Sequence, residues 1–306
     1  MIKMPVFILH LAVFVAAAPL VSGLITKMKN NIRMRIGQSV LQPYYNMAKL
    51  FSKGEVISET ASWIFRAVPF VTLSSSLAAA ALILSFVFSG SGIAGDLLAL
   101  IFIFSLGRFF LALAALDAGS SFGGMGSSRE MFISSLAEPA LLLAAFSISL
   151  QFGSTDIAAF GGIHDVTVSS YIAGAVLFLV TIAETSRIPV DNQETHLELT
   201  MVHEAMVLEY SGRSLALIEM ASYIKQMVLF FLIAQIVFPA GAPAGADMMH
   251  GILWALWYPL RIFIVAAMVA LAEVSVAKMR LFRAADFLGF AFALAVVSVV
   301  CAVLGA

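Results

Sequence analysis

The chain has 306 residues, of which 61% are hydrophobic and only 11% charged, and its mean hydropathy is +1.02. Soluble domains carry about 25% charged residues, so the composition excludes a soluble enzyme and describes an integral membrane protein. A formal net charge of −1 gives no electrostatic basis for binding nucleic acid, and the single Cys301 cannot form an internal disulfide or hold an iron–sulfur cluster or a structural zinc.

Eight apolar runs follow one another, at about 4–24, 67–88, 97–116, 131–152, 168–185, 214–238, 250–273 and 286–305. Each is near the ~20 residues that a spanning helix needs, far from the short alternating segments of a barrel. No internal repeat, low-complexity tract or soluble domain interrupts them, so 1–306 reads as one all-α membrane domain. The first run has a lone Lys3 before it, which is weak for a signal peptide. A retained helix is the expectation.

Basic residues set the predicted orientation. The connection 25–66 holds Lys27, Lys29, Arg33, Arg35, Lys49, Lys53 and Arg66, and the connections near 117–130, 186–213 and 274–285 hold Arg129, Arg187, Arg213, Lys278, Arg280 and Arg283. The alternate connections hold no Lys or Arg, but carry Asp96, Asp156, Asp165 and Asp247. The positive-inside rule places the first set in the cytoplasm and both termini outside.

The first connection is long enough to dock a soluble partner. It ends in SWIFRAVPF, which reads as a short helix lying in the interface or as ordinary anchoring by Trp63 and Arg66. The third span carries Arg108 and ends at Asp117. The Gly/Ser-rich GSSFGGMGSSRE after it reads as flexible slack, or as a place for close backbone approach. Glu138, beside Pro139, is an intramembrane carboxylate in the fourth span. Glu184 lies near the end of the fifth, Glu219 and Lys225 lie in the sixth, and Arg261 and Glu273 in the seventh. Ionisable groups of both signs inside a bundle imply pairing, a wet interior, or both. Burial and neighbouring charge bring such groups close to changing protonation state, as a proton path requires. Structural ion pairs holding the helices in register are the other reading.

The stretch AETSRIPVDNQETHLELTMVHEAMVLEYSGR, 183–213, gathers Glu184, Asp191, Glu194, Glu198, Glu204 and Glu209 between two apolar runs. Pro189 ends the fifth helix. Asp191 and Glu194 have the spacing of a capping box, and a helix is predicted from about 192 to 209, ending at Ser211–Gly212. At about 100° per residue, Glu194, Glu198 and Glu209 fall within roughly 60° of each other, with His196 and His203 opposite. Arg187 and Arg213 flank the helix as natural partners for the acids. The histidines stand two turns apart, which suits pairing with carboxylates rather than joint ligation of a metal. No catalytic residue and no metal ligand is assigned.

These residues resemble a known family. Ala183, Glu184, Thr185, Arg187, Pro189 and Asp191, followed by Glu194, Glu198 and Glu209–Tyr210–Ser211–Gly212, are similar to the loop between the fifth and sixth helices of the complex I subunit 1 family. That family includes the membrane subunits of formate hydrogenlyases and other group 4 membrane-bound [NiFe] hydrogenases. Arg33–Gly37, with Leu41–Gln42 and Lys49–Leu50, resembles its first cytoplasmic loop, and the eight-run layout extends the resemblance over the whole chain. Three features resemble the hydrogenase branch: the segment GRFFLALAALDAGSSFGGMGSSRE, the Glu138–Pro139 step, and Gly37–Gln38 where respiratory members have Gly-Pro. Glu194–Thr195–His196 stands where respiratory members have Glu-Ala-Glu, and about three extra residues precede Glu209.

The resemblance implies a membrane anchor for a redox arm in the cytoplasmic membrane, without a cofactor of its own. Its neighbours would be hydrogenase-like large and small subunits, an iron–sulfur subunit and antiporter-like membrane subunits, with the [NiFe] centre and iron–sulfur clusters in those partners and lipid around the chain. On this reading Glu138, Glu184, Asp191, Glu194, Glu198, Glu204, Glu209 and Lys225 form the proton path. Arg108, Arg187, Arg213 and Arg261 supply supporting charge, and Arg33, Arg35, Trp63 and Arg66 dock a partner or frame a quinone-like site. Two alternatives stay open: the quinone-site subunit of a respiratory complex, and a purely structural anchor whose charges pair and move nothing. A transporter acting alone finds no inverted repeat to support it.

Overall fold

The computed structural model describes residues 4–58, 60–87, 95–157, 159, 167–191, 201–239, 248–279 and 281–305. The described residues form ten helices: α1 Met4–Ile32, α2 Gln42–Ser52, α3 Trp63–Val87, α4 Leu97–Asp117, α5 Ser121–Phe152, α6 Val168–Glu184, α7 His203–Val207, α8 Gly212–Val237, α9 Met248–Ser275 and α10 Leu281–Leu304. Seven of them, α1, α3, α4, α5, α8, α9 and α10, are long and apolar enough to cross a membrane. The eighth apolar run is α6, at 17 residues a shorter helix. The chain is an all-α, multi-pass membrane protein.

Small residues let the helices approach. Ala137, Ala140, Ala144 and Ala145 of α5 and Ala284, Ala291 and Ala295 of α10 are buried, and these two helices pack on one another. Without a hydrophobic drive between helices in lipid, van der Waals fit and buried hydroxyl bonds hold such contacts. Here Ser147 of α5, Ser169 of α6 and Ser298 of α10 share hydrogen bonds of 2.7–3.0 Å in the packed interior. Helix α8 is the central post, buried along most of its second half.

Hydrogen bonds sort the connections to two ends of the bundle. Thr60 donates to the Ala118 carbonyl at 3.1 Å, Ser211 bonds Val56, and the Met279 amide donates to the Pro189 carbonyl at 2.9 Å. The connections rich in Lys and Arg therefore meet at one end, called the basic end below. At the other, Leu97 and Ile157 pair with Thr155 and Gly95 across an isolated bridge between Asp96 and Asp156.

Three sequence expectations are corrected. SWIFRAVPF is not a separate interfacial helix, because from Trp63 onward it is the start of α3. The Asp117 carboxylate accepts from the Ser62 amide and hydroxyl, each at 2.8 Å, and from the Phe65 amide at 3.3 Å. A neighbouring helix thus supplies the cap that a helix start needs. The Gly/Ser-rich segment is not slack either. It is helical from Ser121, capped by Ser120. Its glycines serve close approach: a Cβ on Gly126 would stand 2.9 Å from Ala205 and 3.0 Å from the Val202 carbonyl.

Nor does one helix run from 192 to 209. Met201 and Val202 are not helical, and α7 spans only five residues. The Asp191 carboxylate accepts from the Val202 and His203 amides, each at 3.2 Å, and Arg129 donates to the Met201 carbonyl at 2.9 Å. Side chains from elsewhere satisfy these backbone groups, so a helix need not. Glu194, His196 and Glu198 lie outside the described residues.

Candidate functional site: two buried charge clusters and three chambers

The segment 184–191, leaving α6 through a turn with Ser186 at φ 51°, carries charges of alternating sign at Glu184, Arg187 and Asp191. Each reaches a different part of the bundle. Glu184 is held by Arg108 of α4 at 2.6 Å and by Lys225 of α8 at 2.6 Å. The same guanidinium lies 3.3 Å from Glu138 and 4.0 Å from Glu130, both on α5. Lys225 also sits over the Phe104 ring, 5.8 Å from its centroid. This first cluster sets three carboxylates around two cations.

The second cluster lies on the other side of the segment. Arg187 meets Glu273 of α9 at 2.7 Å, and Lys29 of α1 meets the same carboxylate at 2.5 Å. The other arm of Arg187 donates to Gln226 of α8 at 3.0 Å. Asp191, besides its two amides, receives Lys278 at 3.2 Å. Stripping water from a charge costs several kcal/mol, and in both clusters the paired side chains repay that cost by direct contact.

Three chambers open among these groups. One of about 450 Å³ is lined by Lys29, Asn30, Gln38, Arg187, Asp191 and Glu273. A second of about 240 Å³ holds His203, Glu204, Glu219, Tyr223 and Gln226. The smallest, about 60 Å³, is lined by Arg108, Glu130, Glu184, His203 and Lys225. At roughly 10–15 Å³ each, it has room for several water molecules among charged partners.

Other predicted site residues stand apart from this centre. Arg261 is buried away from the clusters. It donates to the Phe238 carbonyl at 2.6 Å and to Gln235 at 3.2 Å, with Tyr258 against its plane. The negative end of α8 is its counter-charge. Arg213 is exposed at the start of α8 and Glu209 is half-buried behind α7. Arg35, Trp63 and Arg66 are exposed and Arg33 partly so, and none of the four lines the three chambers. Glu130, Lys29 and Glu273 belong to the clusters but not to the predicted site. Lys29 was hidden because α1 continues helically eight residues past the predicted end of its apolar run at 24. A buried Glu130 leaves no trace in a Gly/Ser-rich context.

The residues Tyr210–Ser211–Gly212 form a clasp. Ser211 accepts from the Val56 amide at 2.8 Å and donates to its carbonyl at 3.0 Å. The Tyr210 hydroxyl donates to the Phe65 carbonyl at 2.9 Å, and the two rings stack 4.0 Å apart. Burial pushes the Tyr210 phenol well up, and Asp117 and Glu55 add to it. Gly212 has φ 52°, and a Cβ there would stand 2.5 Å from the Gly54 carbonyl, so only glycine fits the backbone contact. The clasp ties the first connection to α8 above the clusters.

A family profile described as NADH dehydrogenase matches residues 4–304. The chain belongs to the complex I subunit 1 family. Among its relatives are hydrogenase-4 component C of Escherichia coli K12, 31% identical over 90% of this chain and 89% of that protein, and formate hydrogenlyase subunit 4 of the same organism, 32% identical over 88% and 89%. In fold, this family member is similar to a chain of the membrane-bound sulfane sulfur reductase, an archaeal respiratory membrane complex. The TM-score is 0.84, with 97% of this chain and 98% of that one covered, at 16% identity.

Proposed function

We propose that this chain is the membrane anchor and ion-coupling subunit of an energy-converting [NiFe] hydrogenase or formate hydrogenlyase-like complex in the cytoplasmic membrane. The observation that carries the reading is the Arg108 cluster. Three carboxylates share two cations beside a chamber with room for water, inside a membrane bundle. Structural pairing alone would be met by matched charge; an acid in excess gives a proton somewhere to go. The whole-length similarity to a hydrogenase-4 component and a formate hydrogenlyase subunit points to the hydrogenase branch.

Protons enter at the acidic segment, through Glu194, Glu198, Glu204, Glu209 and Asp191. They reach Glu184, Glu138 and Lys225 inside the bundle. Arg108 and Arg187 hold the path's charges in place, while Arg213 and Arg261 stand at its ends. The first connection, with Arg33, Arg35, Trp63 and Arg66, faces the peripheral arm. That arm comprises hydrogenase-like large and small subunits and an iron–sulfur subunit, and antiporter-like subunits flank the bundle in the membrane. The [NiFe] centre and iron–sulfur clusters belong to those partners. The basic end faces the cytoplasm, α6 completes eight spans, and both termini lie outside.

Purifying the native complex in mild detergent, with assays for nickel, hydrogen evolution and redox-driven proton movement in vesicles, tests this. Nickel, hydrogen turnover and proton movement together are expected. Absence of nickel, with electron transfer that quinone-site blockers stop, would move the chain to the respiratory reading.

A further inference from the structure

We infer that His203 is the relay that passes protons between the two smaller chambers. This rests on the ion-coupling reading above and names the residue at which the path crosses from one chamber to the next. The 240 Å³ chamber carries Glu204 and Glu219, and the 60 Å³ chamber carries Glu130 and Glu184. Three residues line both: His203, Ile218 and Ser222. Isoleucine carries no proton, and a serine hydroxyl serves only as a link in a chain. An imidazole can accept a proton at one nitrogen and release one from the other, and so can connect two faces.

The backbone at this residue is fixed. The His203 amide donates to Asp191 at 3.2 Å, Asp191 receives Lys278 at 3.2 Å, and Arg129 holds the preceding turn through the Met201 carbonyl at 2.9 Å. These bonds hold the non-helical Met201 and Val202 ahead of α7 and fix His203 at its start, where it lines both chambers. The chemistry balances. A carboxylic acid at Glu204 or Glu219 gives its proton, directly or through water, to one ring nitrogen. The imidazolium then releases the proton of its other nitrogen to water in the small chamber and on to Glu130. The ring is left neutral in its other tautomer, and a ring turn resets it. Arg108 and Lys225 line the small chamber and Arg187 the larger one, so cations stand in the walls on both sides of the relay.

The test uses the intact complex in sealed vesicles, with proton movement and redox turnover read in the same sample. In an assembled His203→Gln complex, proton movement per turnover falls about 100-fold or more, the range for loss of an acid–base group. In His203→Ala, added imidazole restores it several-fold, which a merely structural role would not allow. Wild-type proton movement in His203→Gln overturns the inference and leaves the coupling reading standing. Loss in His203→Ala that imidazole does not restore also overturns it. A wild-type complex that moves no protons removes both.

Discussion

The two charge clusters flank one eight-residue segment and solve the same problem differently. Around Glu273 and Asp191, each carboxylate has its own full set of donors: two cations for the first, a lysine and two amides for the second. Around Arg108, three carboxylates divide one guanidinium and one ammonium, and only Glu184 is gripped by both. A carboxylate clamped by two cations holds helices in place. Carboxylates that compete for a cation can trade a proton for it. Burial of charge is therefore not in itself a sign of transport, and the ratio of acids to cations inside each cluster is the more telling quantity.

Substitutions can break this contrast. The largest effects fall on the clamped acids. Glu184→Gln strands Arg108 and Lys225, and Glu273→Gln strands Lys29 and Arg187. Each is expected to cost about 3–5 kcal/mol, the range for removing one partner of a buried pair. The readouts are the yield of assembled complex and its thermal midpoint, and wild-type values for either would dissolve the idea of clamped acids. Next comes the clasp. Gly212→Ala forces a side chain into φ 52° against the Gly54 carbonyl and should cost about 1–3 kcal/mol. Faster proteolysis of the first connection would report it.

Ser298→Ala opens the serine hub joining α5, α6 and α10, at about 1 kcal/mol. It should lower the thermal midpoint slightly and leave proton movement as in the wild type. The smallest effect on stability is expected at Glu138, whose side chain is 35% exposed. Glu138→Gln should cost less than about 1 kcal/mol, as a partly exposed pair does, yet lower redox-driven proton movement strongly. Unchanged proton movement there would make the Arg108 cluster as structural as its neighbour.

How much was legible beforehand follows from the range of each interaction. Apolar runs declare themselves residue by residue, so all eight correspond to helices. The grouping of connections follows from counting Lys and Arg. Ends were less visible. The reach of α1 to Ile32 takes in Lys29 because a helix can continue through polar residues once a neighbour supplies counter-charge, here Glu273 from the far end of the chain. The start of α3 depended on an acid 54 residues away, Asp117 for Trp63, and the break before α7 on Asp191 and Arg129. No local pattern contains these partners.

The sequence by itself determined that this is an all-helical membrane protein, which family it belongs to, and that its acids concentrate near 184–213. Hydropathy and motif spacing are properties of neighbouring residues, and they survive in any conformation of the chain. Only the tertiary structure decided which carboxylate met which cation. It also interrupted the predicted acidic helix at Met201–Val202 and set His203 between two chambers. Ion pairing depends on distance and desolvation, and neither exists until distant helices have packed.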